Sequence, residues 1–442
     1  MLKRGSSSLF CVKSLELHLT FIYMGTNIED IQIDLNTASE QELIYEIKRL
    51  AKAEEFFSSR EQGIKTFLNS VYGATGNLGF AMHDLRVSEA ITLQSRQMTR
   101  YASWVLDKYF NDVFPSDKET WDKLKLTEEQ RDIATKIPQI LKFKGITTLE
   151  VYSDTDSVYA QLGPIVEALN VPEDKHIEMA QKIYSVAIDP YLIKMFDEYA
   201  NTLNAPKNVQ QLELEKIAYS VTMFAKKNYI MNLAWKEPDI YLEPYTSILY
   251  RGLDVVKSST PKYAREVMKD LNIWCLKKYI DGTLNVSNII DKLREVKKEF
   301  EKQEPDDICP MNKVNGMEEK VIYNTKERSL SFKRHATQAI KGAAYHNMLI
   351  KNDPESSVKY EMIKSGDRVK FFETVDPIIP FFGYKQGKFP YGLPGLPKID
   401  YNALFDKSIL SPMNRLFVVL GFKPLSIEFF AASKSSGITP LF

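Results

Sequence analysis

Two short stretches carry residue types and spacings suited to phosphoryl chemistry. The first is Asp154-Thr155-Asp156-Ser157, inside TTLEVYSDTDSVYAQL (residues 147–162). Apolar and polar residues roughly alternate on both sides, which predicts strand–turn–strand. Two aspartates one residue apart at a hairpin tip offer hard oxygen donors. Mg²⁺ usually binds through one or two such carboxylates plus substrate phosphates. Two ions ~4 Å apart can stabilise the attacking and leaving oxygens of a phosphoryl transfer. Asp also favours turns for its own backbone reasons, so the tetrapeptide by itself is equally an ordinary turn. The second stretch is Lys65-Thr66-Phe67-Leu68-Asn69-Ser70-Val71-Tyr72-Gly73. Lys65, Asn69 and Tyr72 are spaced i, i+4, i+7 and share one helical face. A cation for phosphates, an amide, and an aromatic for base and sugar suit a nucleoside triphosphate. Gly73 is placed to stop or bend the helix.

The elements that must position these groups follow from periodicity. Residues 39–63 are expected to be helical, running into the Lys65–Tyr72 face, with Gly73, Gly76 and Gly79 breaking the helix. A second helix is expected over 87–111, with Ala90, Leu93, Met98, Tyr101, Trp104 and Val105 as core positions. Residues 115–142 are charged and expected at the periphery, and 174–203 are helical. Strands are expected across 210–250, where Glu213 and Glu215 alternate with Leu212 and Leu214, so that both carboxylates face one side. Helical stretches at 262–304 and 334–352 precede a segment rich in Pro, Gly and aromatics. Strands with segregated helices imply an α+β fold.

Taken together in this order, the motifs resemble those of the family B DNA polymerases, particularly the replicative enzymes of tailed phages. KTFLNSVYG is similar to their motif B on the fingers, and YSDTDS to motif C of the palm. LELEKI (212–217) resembles a palm strand, KKNY (226–229) a segment tracking the primer–template minor groove, and GLDVVKSSTPKYAREV (252–267) the palm-to-thumb passage. The resemblance implies a right-hand architecture with an antiparallel palm sheet, helical fingers and a mixed, largely helical thumb. It implies Asp156 as the essential metal ligand and Asp154 as a lesser one, with Mg²⁺ (or Mn²⁺) as cofactor. Lys65, Asn69, Tyr72 and Gly73 would meet dNTP, and Glu213 and Glu215 would lie near the metal. Lys226, Lys227, Tyr229, Lys257, Ser259 and Arg334 would contact primer–template DNA, with Arg334, His335 and Lys341 on a thumb helix. Two departures stand out: Ser153 where the family usually has Gly or another small residue, a minor one that leaves the metal site intact, and Asn228 where phage members often have Arg.

The resemblance assigns residues 39–78 to fingers, 79–250 to palm with a peripheral helical segment near 112–143, and 251–442 to thumb and tail. Residues 1–38 stay unassigned, and Met24 is a candidate start, with the preceding segment outside the fold. No motif A (D-x-x-S-L-Y-P) precedes Lys65, and the 64 residues before it leave no room for an exonuclease domain. Three explanations compete: a split polymerase whose partner polypeptide carries motif A and the exonuclease, an inert gene fragment, and a non-catalytic DNA-binding subunit. The C-terminal ITPLF is weakly similar to tails that dock a sliding clamp.

Composition sets bounds. The 442 residues suffice for two or three domains, and 44% hydrophobic with 26% charged content is ordinary for a globular chain. Fifty-eight basic residues balance 58 acidic ones, so any basic groove must come from local distribution rather than net charge. Cys11, Cys275 and Cys309 form neither a zinc pattern nor a disulfide framework. No signal peptide or membrane span is evident, which with the resemblance places the protein in the host-cell cytoplasm.

Overall fold

The structure, a computed structural model, describes residues 9–14, 37–324 and 329–431, and of 9–14 the backbone alone. The chain divides into two compact units. One comprises residues 5–220 with 233–247, the other 221–232 with 248–442. Helices and antiparallel sheets are both extensive, as an α+β class requires.

In the first unit, β1 (Leu9–Ser14) is followed by the long helix α1 (Glu40–Thr75). Ser39 and Glu42 form a capping box that satisfies the exposed amides of its first turn. The helix runs through Gly73 and ends at Gly76. The expected break at Gly73 is therefore corrected: one glycine costs a helix only about 1 kcal/mol, and the flanking residues carry it. The connection to α2 (Leu85–Lys108) is closed by backbone bonds, among them the Asp84 amide to the Thr75 carbonyl (3.0 Å). Asp84 caps α2, and the Arg86 guanidinium beside it holds its carboxyl below the usual carboxylate range.

Only the C-terminal half of α2 enters the core. Met98, Ala102, Val105 and Leu106 are buried, whereas Leu93 and Trp104 are exposed, as is Ala90. The expected core positions Ala90, Leu93 and Trp104 are thus corrected; the first half of α2 meets α1 instead of the body. Next come α3 (Lys118–Leu124), α4 (Glu128–Ala134) and α5 (Ile137–Phe143). They bury Trp121, Leu124, Ala134, Ile137 and Leu141 in the main core, so this charged segment is not peripheral. Its charges occupy outward faces of short amphipathic helices. The hairpin β2 (Glu150–Asp154) and β3 (Ser157–Gln161) follows as expected, then α6 (Gly163–Ala168), α7 (His176–Ile183) and α8 (Asp189–Thr202).

Strands β4 (Leu212–Ala225) and β5 (Asn228–Lys236) form the long hairpin, with β6 (Asp239–Ile240) and β7 (Ser247–Arg251) after it. The strand order is β2-β3-β1-β4-β5-β6, with β7 also on β5. Strand β1 lies between β3 and β4, antiparallel to both. Leu9–Ser14 therefore belongs to the sheet, correcting the expectation that the segment before Met24 stands outside the fold. Met24 itself, and residues 437–442 of the tail, lie outside the described residues.

The second unit contains α9 (Lys262–Ile280), α10 (Val286–Phe300), α11 (Pro305–Ile308), β8 (Met311–Lys313), α12 (Met317–Lys320), β9 (Val321–Asn324) and β10 (Ser329–Phe332). It continues with α13 (Gln338–Asn352), α14 (Pro354–Lys359), β11 (Arg368–Glu373), β12 (Phe381–Lys385), α15 (Tyr401–Phe405), α16 (Ser411–Val419) and α17 (Glu428–Ala431). Cys275 and Cys309 are buried free thiols, each pushed up to about 12 by burial. Among the described residues no helix is long and apolar enough to cross a membrane.

Helix α13 packs on β12 with their backbones touching. A Cβ on Gly342 would lie 2.8 Å from the Gly383 nitrogen, whereas a Cβ on Gly63 in α1 would meet nothing within 4 Å. Helix propensity alone favours Ala at either position by up to about 1 kcal/mol. Overpacking at Gly342 outweighs it. Chemical denaturation should show Gly342→Ala losing about 1–3 kcal/mol, while Gly63→Ala raises the helical stability of α1.

Candidate active site

The Asp154–Ser157 turn closes β2 onto β3, with Asp154 opposite Ser157 in the register. Thr155 sits at φ 47°, a left-handed conformation that costs a β-branched residue about 1–3 kcal/mol. Local bonds hold it. The Asp156 amide donates to the Asp154 carbonyl (2.5 Å), and the Ser157 hydroxyl donates to the same oxygen (3.1 Å). The Thr155 hydroxyl donates to the Asp154 carboxylate (3.2 Å). Both aspartates are half-buried.

Helix α2 braces this hairpin from one side. The Thr99 hydroxyl donates to the Thr155 carbonyl (2.8 Å), Ser103 bonds the Glu150 carboxylate, and Asp107 accepts from the Leu149 amide (2.7 Å) and the Thr148 hydroxyl (2.8 Å). The same stripe of α2 grips α1 nearer its start. Thr92 spends its proton on the Ser88 carbonyl (2.9 Å), so the Tyr72 phenol is the donor in its 2.8 Å bond to Thr92. Thr75 spends its proton on the Tyr72 carbonyl (2.7 Å), so Ser88 donates to Thr75 (2.7 Å). A closed polar ring thus joins Tyr72 and Thr75 to Ser88 and Thr92. Thr92 and Thr99 are seven residues apart on one face, about 10 Å along the helix axis.

Lys65, Asn69, Tyr72 and Gly73 are all exposed on α1. Tyr72 is tied to α2 through Thr92, while Lys65 pairs with Glu61 (2.5 Å) one turn away on its own helix. Strand register places the acids of β4. Lys13 of β1 is opposite both Ser157 and Glu213, so Glu213 is level with the turn and two strands over, about 10 Å away. Cys11 pairs with Lys216 and Val12 with Leu214, leaving Glu215 as the extra residue of a bulge. The expected strict alternation of Glu213 and Glu215 is corrected there: Glu213 is exposed, and the Glu215 carboxylate pairs with the buried Lys216 ammonium.

Hard oxygen donors at Asp154 and Asp156 fit Mg²⁺ or Mn²⁺ bound jointly with substrate phosphates. Among the described residues no three His, Cys, Asp or Glu side chains group as a metal site. Two carboxylates at the turn would make up part of the ligand set such an ion needs.

The remaining predicted residues lie in the second unit. Lys226 and Lys227 form the exposed tip of the β4–β5 hairpin, with Lys227 at φ 62°. Asn228 folds its amide onto the Lys226 carbonyl (2.9 Å). Tyr229 is 7% exposed, so its ring packs inside the fold rather than standing open on the surface. Gly252, at φ 65°, lies under the tip; a Cβ there would fall 2.3 Å from the Lys227 carbonyl and 2.4 Å from the Asn228 Oδ1. Lys257 pairs with Asp254 (2.7 Å), which also meets Arg415 (3.3 Å). Ser259 lines a cavity of about 430 Å³ with Asp254, Lys407 and Arg415. Arg334 and His335 lie in the turn before α13, not on a helix, because the helix begins only after its Thr337 cap; Lys341 is on α13, its ammonium over the Phe332 and Phe381 rings.

Sequence reading missed Thr99, Asp107 and Gly252. The recurrence of hydroxyls at 88, 92, 95, 99 and 103, with helical spacing, was the available signal for the first. Gly252→Ala should lower stability in urea by about 1–3 kcal/mol or more, since a Cβ there must displace the Lys226–Lys227 tip. Unchanged stability would contradict the close packing.

A model of the DNA polymerase family B matches residues 44–315, more than half of the chain. The DNA-directed DNA polymerase of Enterobacteria phage T4 is 24% identical over 254 residues, 55% of this chain and 25% of that protein. The corresponding enzyme of Escherichia phage RB69 is 24% identical over 218 residues, 47% of this chain and 21% of that protein. The DNA polymerase delta catalytic subunit of Dictyostelium discoideum is 24% identical over 371 residues, 81% of this chain and 25% of that protein. The chain spans about a quarter of the length of these curated relatives. Both motif-bearing elements, the Lys65–Tyr72 helix and the Asp154–Asp156 hairpin, fall inside the matched stretch, and the chain belongs to DNA polymerase family B.

Proposed function

We propose that this chain is the fingers, palm and thumb portion of a split, replicative DNA polymerase, transferring nucleotides from dNTP to a primer 3′-hydroxyl. The observation that carries the reading is the bracing of both motifs by one helix: α2 bonds Tyr72 of the nucleotide face and the Thr155 carbonyl of the aspartate turn. In this reading residues 39–78 are fingers, 79–250 palm and 251–442 thumb and tail.

Asp156 and Asp154 would hold Mg²⁺. When bound, divalent cations supply electrostatic stabilisation of the attacking and leaving oxygens. Lys65 would neutralise the triphosphate, and Asn69 and Tyr72 would orient the nucleotide beside it. The α1–α2 contacts pair Thr75 with Ser88 and Tyr72 with Thr92. If that antiparallel register continued, it would bring Lys65 opposite Thr99, the residue that touches the aspartate turn. Closure of α1 along α2 would thus deliver the cation to the metal site, as lid motions do generally. Gly73, with open space around it, would leave room for the template base. Glu213 would lie at the margin of the site. Lys226 and Lys227 would meet the DNA backbone, with Lys257, Ser259 and Arg334 further along the duplex; such contacts position without reading sequence.

A second polypeptide carrying motif A and the exonuclease would complete the ligand set, consistent with the partial set on the turn. The exposed apolar residues of the α1–α2 arm, among them Phe67, Leu78, Met82 and Leu93, are in keeping with a fragment that works beside another chain. A sliding clamp on the tail and a cytoplasmic setting complete the proposal.

The chain alone should bind primer–template in a mobility-shift assay, with affinity falling steeply as salt rises, yet extend it little. Adding the polypeptide with motif A should restore extension. Robust extension by this chain alone would remove the need for a partner, and binding with no rescue would favour a non-catalytic DNA-binding subunit.

A further inference from the structure

Ser88, Thr92, Thr99, Ser103 and Asp107 on α2 bond α1 or the β2–β3 hairpin, and the proposed function gives none of them a part in the chemistry. Ser88 and Thr92 hold α1; Thr99, Ser103 and Asp107 hold the β2–β3 hairpin. Among these, Thr99 touches the aspartate turn itself. Its acceptor is the carbonyl of Thr155, the residue that separates the two aspartates and sits at φ 47°. A turn held in a disfavoured conformation needs outside contacts to keep it there, and this bond is one from another element.

We infer that Thr99 is a positioning residue: its hydroxyl, fixed on α2, clamps the Thr155 carbonyl and so sets the direction of the Asp154 and Asp156 carboxylates. Three features support this. The single Thr99 hydroxyl proton is shared between two carbonyls, that of Thr155 at 2.8 Å and that of Ser95 at 2.9 Å one turn back, so its rotamer is set by the helix and little ordering remains to be lost in reaching the turn. The bond is made from the buried half of α2, where Met98 and Ala102 anchor the helix in the core, so the clamp is mounted on a rigid element. And the clamped carbonyl shares its peptide plane with the Asp156 amide, which donates to the Asp154 carbonyl, so a rotation of that plane turns Asp156 directly and reaches Asp154 through that bond. Ser103 and Asp107 hold the root of the same hairpin, and Thr99 reaches its tip.

The inference rests on the proposed role of the turn as a metal site, and its test separates the two. Full-length protein would be prepared as wild type, Thr99→Val, Thr99→Ser and Asp156→Ala. Hydrogen exchange at the Asp156 amide reads the turn without metal; titration with Mn²⁺ in the presence of dATP, followed by electron paramagnetic resonance, reads the carboxylates. Thr99→Val keeps the shape and removes the donor, so Asp156 exchange should rise by about five- to tenfold and Mn²⁺ affinity fall by a similar factor. Thr99→Ser should restore both to within about twofold, since it keeps the hydroxyl. Thr99→Val with wild-type exchange at Asp156 and wild-type Mn²⁺ affinity would overturn the inference. If exchange rises as expected but Asp156→Ala binds Mn²⁺ as the wild type does, the clamp stands and the metal reading of the turn falls.

Discussion

The hydrogen bond from Thr99 to the Thr155 carbonyl (2.8 Å) is the contact on which the arrangement of this molecule's chemistry depends. It joins the helix that bonds Tyr72 of α1 to the hairpin tip that carries the aspartates. Without it, Ser103 and Asp107 would still hold the root of the hairpin, but the tip would lose its tie to α2. The cost of the left-handed Thr155 is about 1–3 kcal/mol, comparable to one or two good hydrogen bonds. Three bonds within the turn and one from α2 offset it. A turn so held would present two carboxylates in one orientation, as a cation with strict geometric demands requires.

The same logic recurs at the other hairpin tip. Lys227 is left-handed and is supported from beneath by Gly252, whose missing Cβ lets the backbone approach the Lys227 carbonyl. In both places a strained tip bearing charged side chains is fixed by a neighbour chosen for fit: a donor at one, an absent side chain at the other. Both tips bear residues of motifs that resemble those of the family, and each support comes from outside its own hairpin.

Much of this was legible in the sequence, for identifiable reasons. Period-two alternation around Asp154 predicted the hairpin, and the i, i+4, i+7 spacing of Lys65, Asn69 and Tyr72 predicted their common helical face. What was not legible depended on partners distant in sequence. The strand at Leu9–Ser14 has no strong alternation and is recognisable only by its pairing with β3 and β4. The bulge at Glu215 arises from its register against that strand. Burial of residues 118–141 escaped notice because short amphipathic helices hide few apolar residues among many charges. Gly73 looked like a helix stop, but propensity is weak beside the run of helical residues around it.

As proposed, the Asp154–Asp156 turn would be the metal-binding centre of template-directed synthesis by this chain with a partner polypeptide. Single-turnover nucleotide incorporation by the reconstituted pair, comparing wild type with Asp156→Ala, tests it most directly. The substitution should slow incorporation by more than about a hundredfold while primer–template affinity stays within about twofold. Incorporation at the wild-type rate by Asp156→Ala would contradict it.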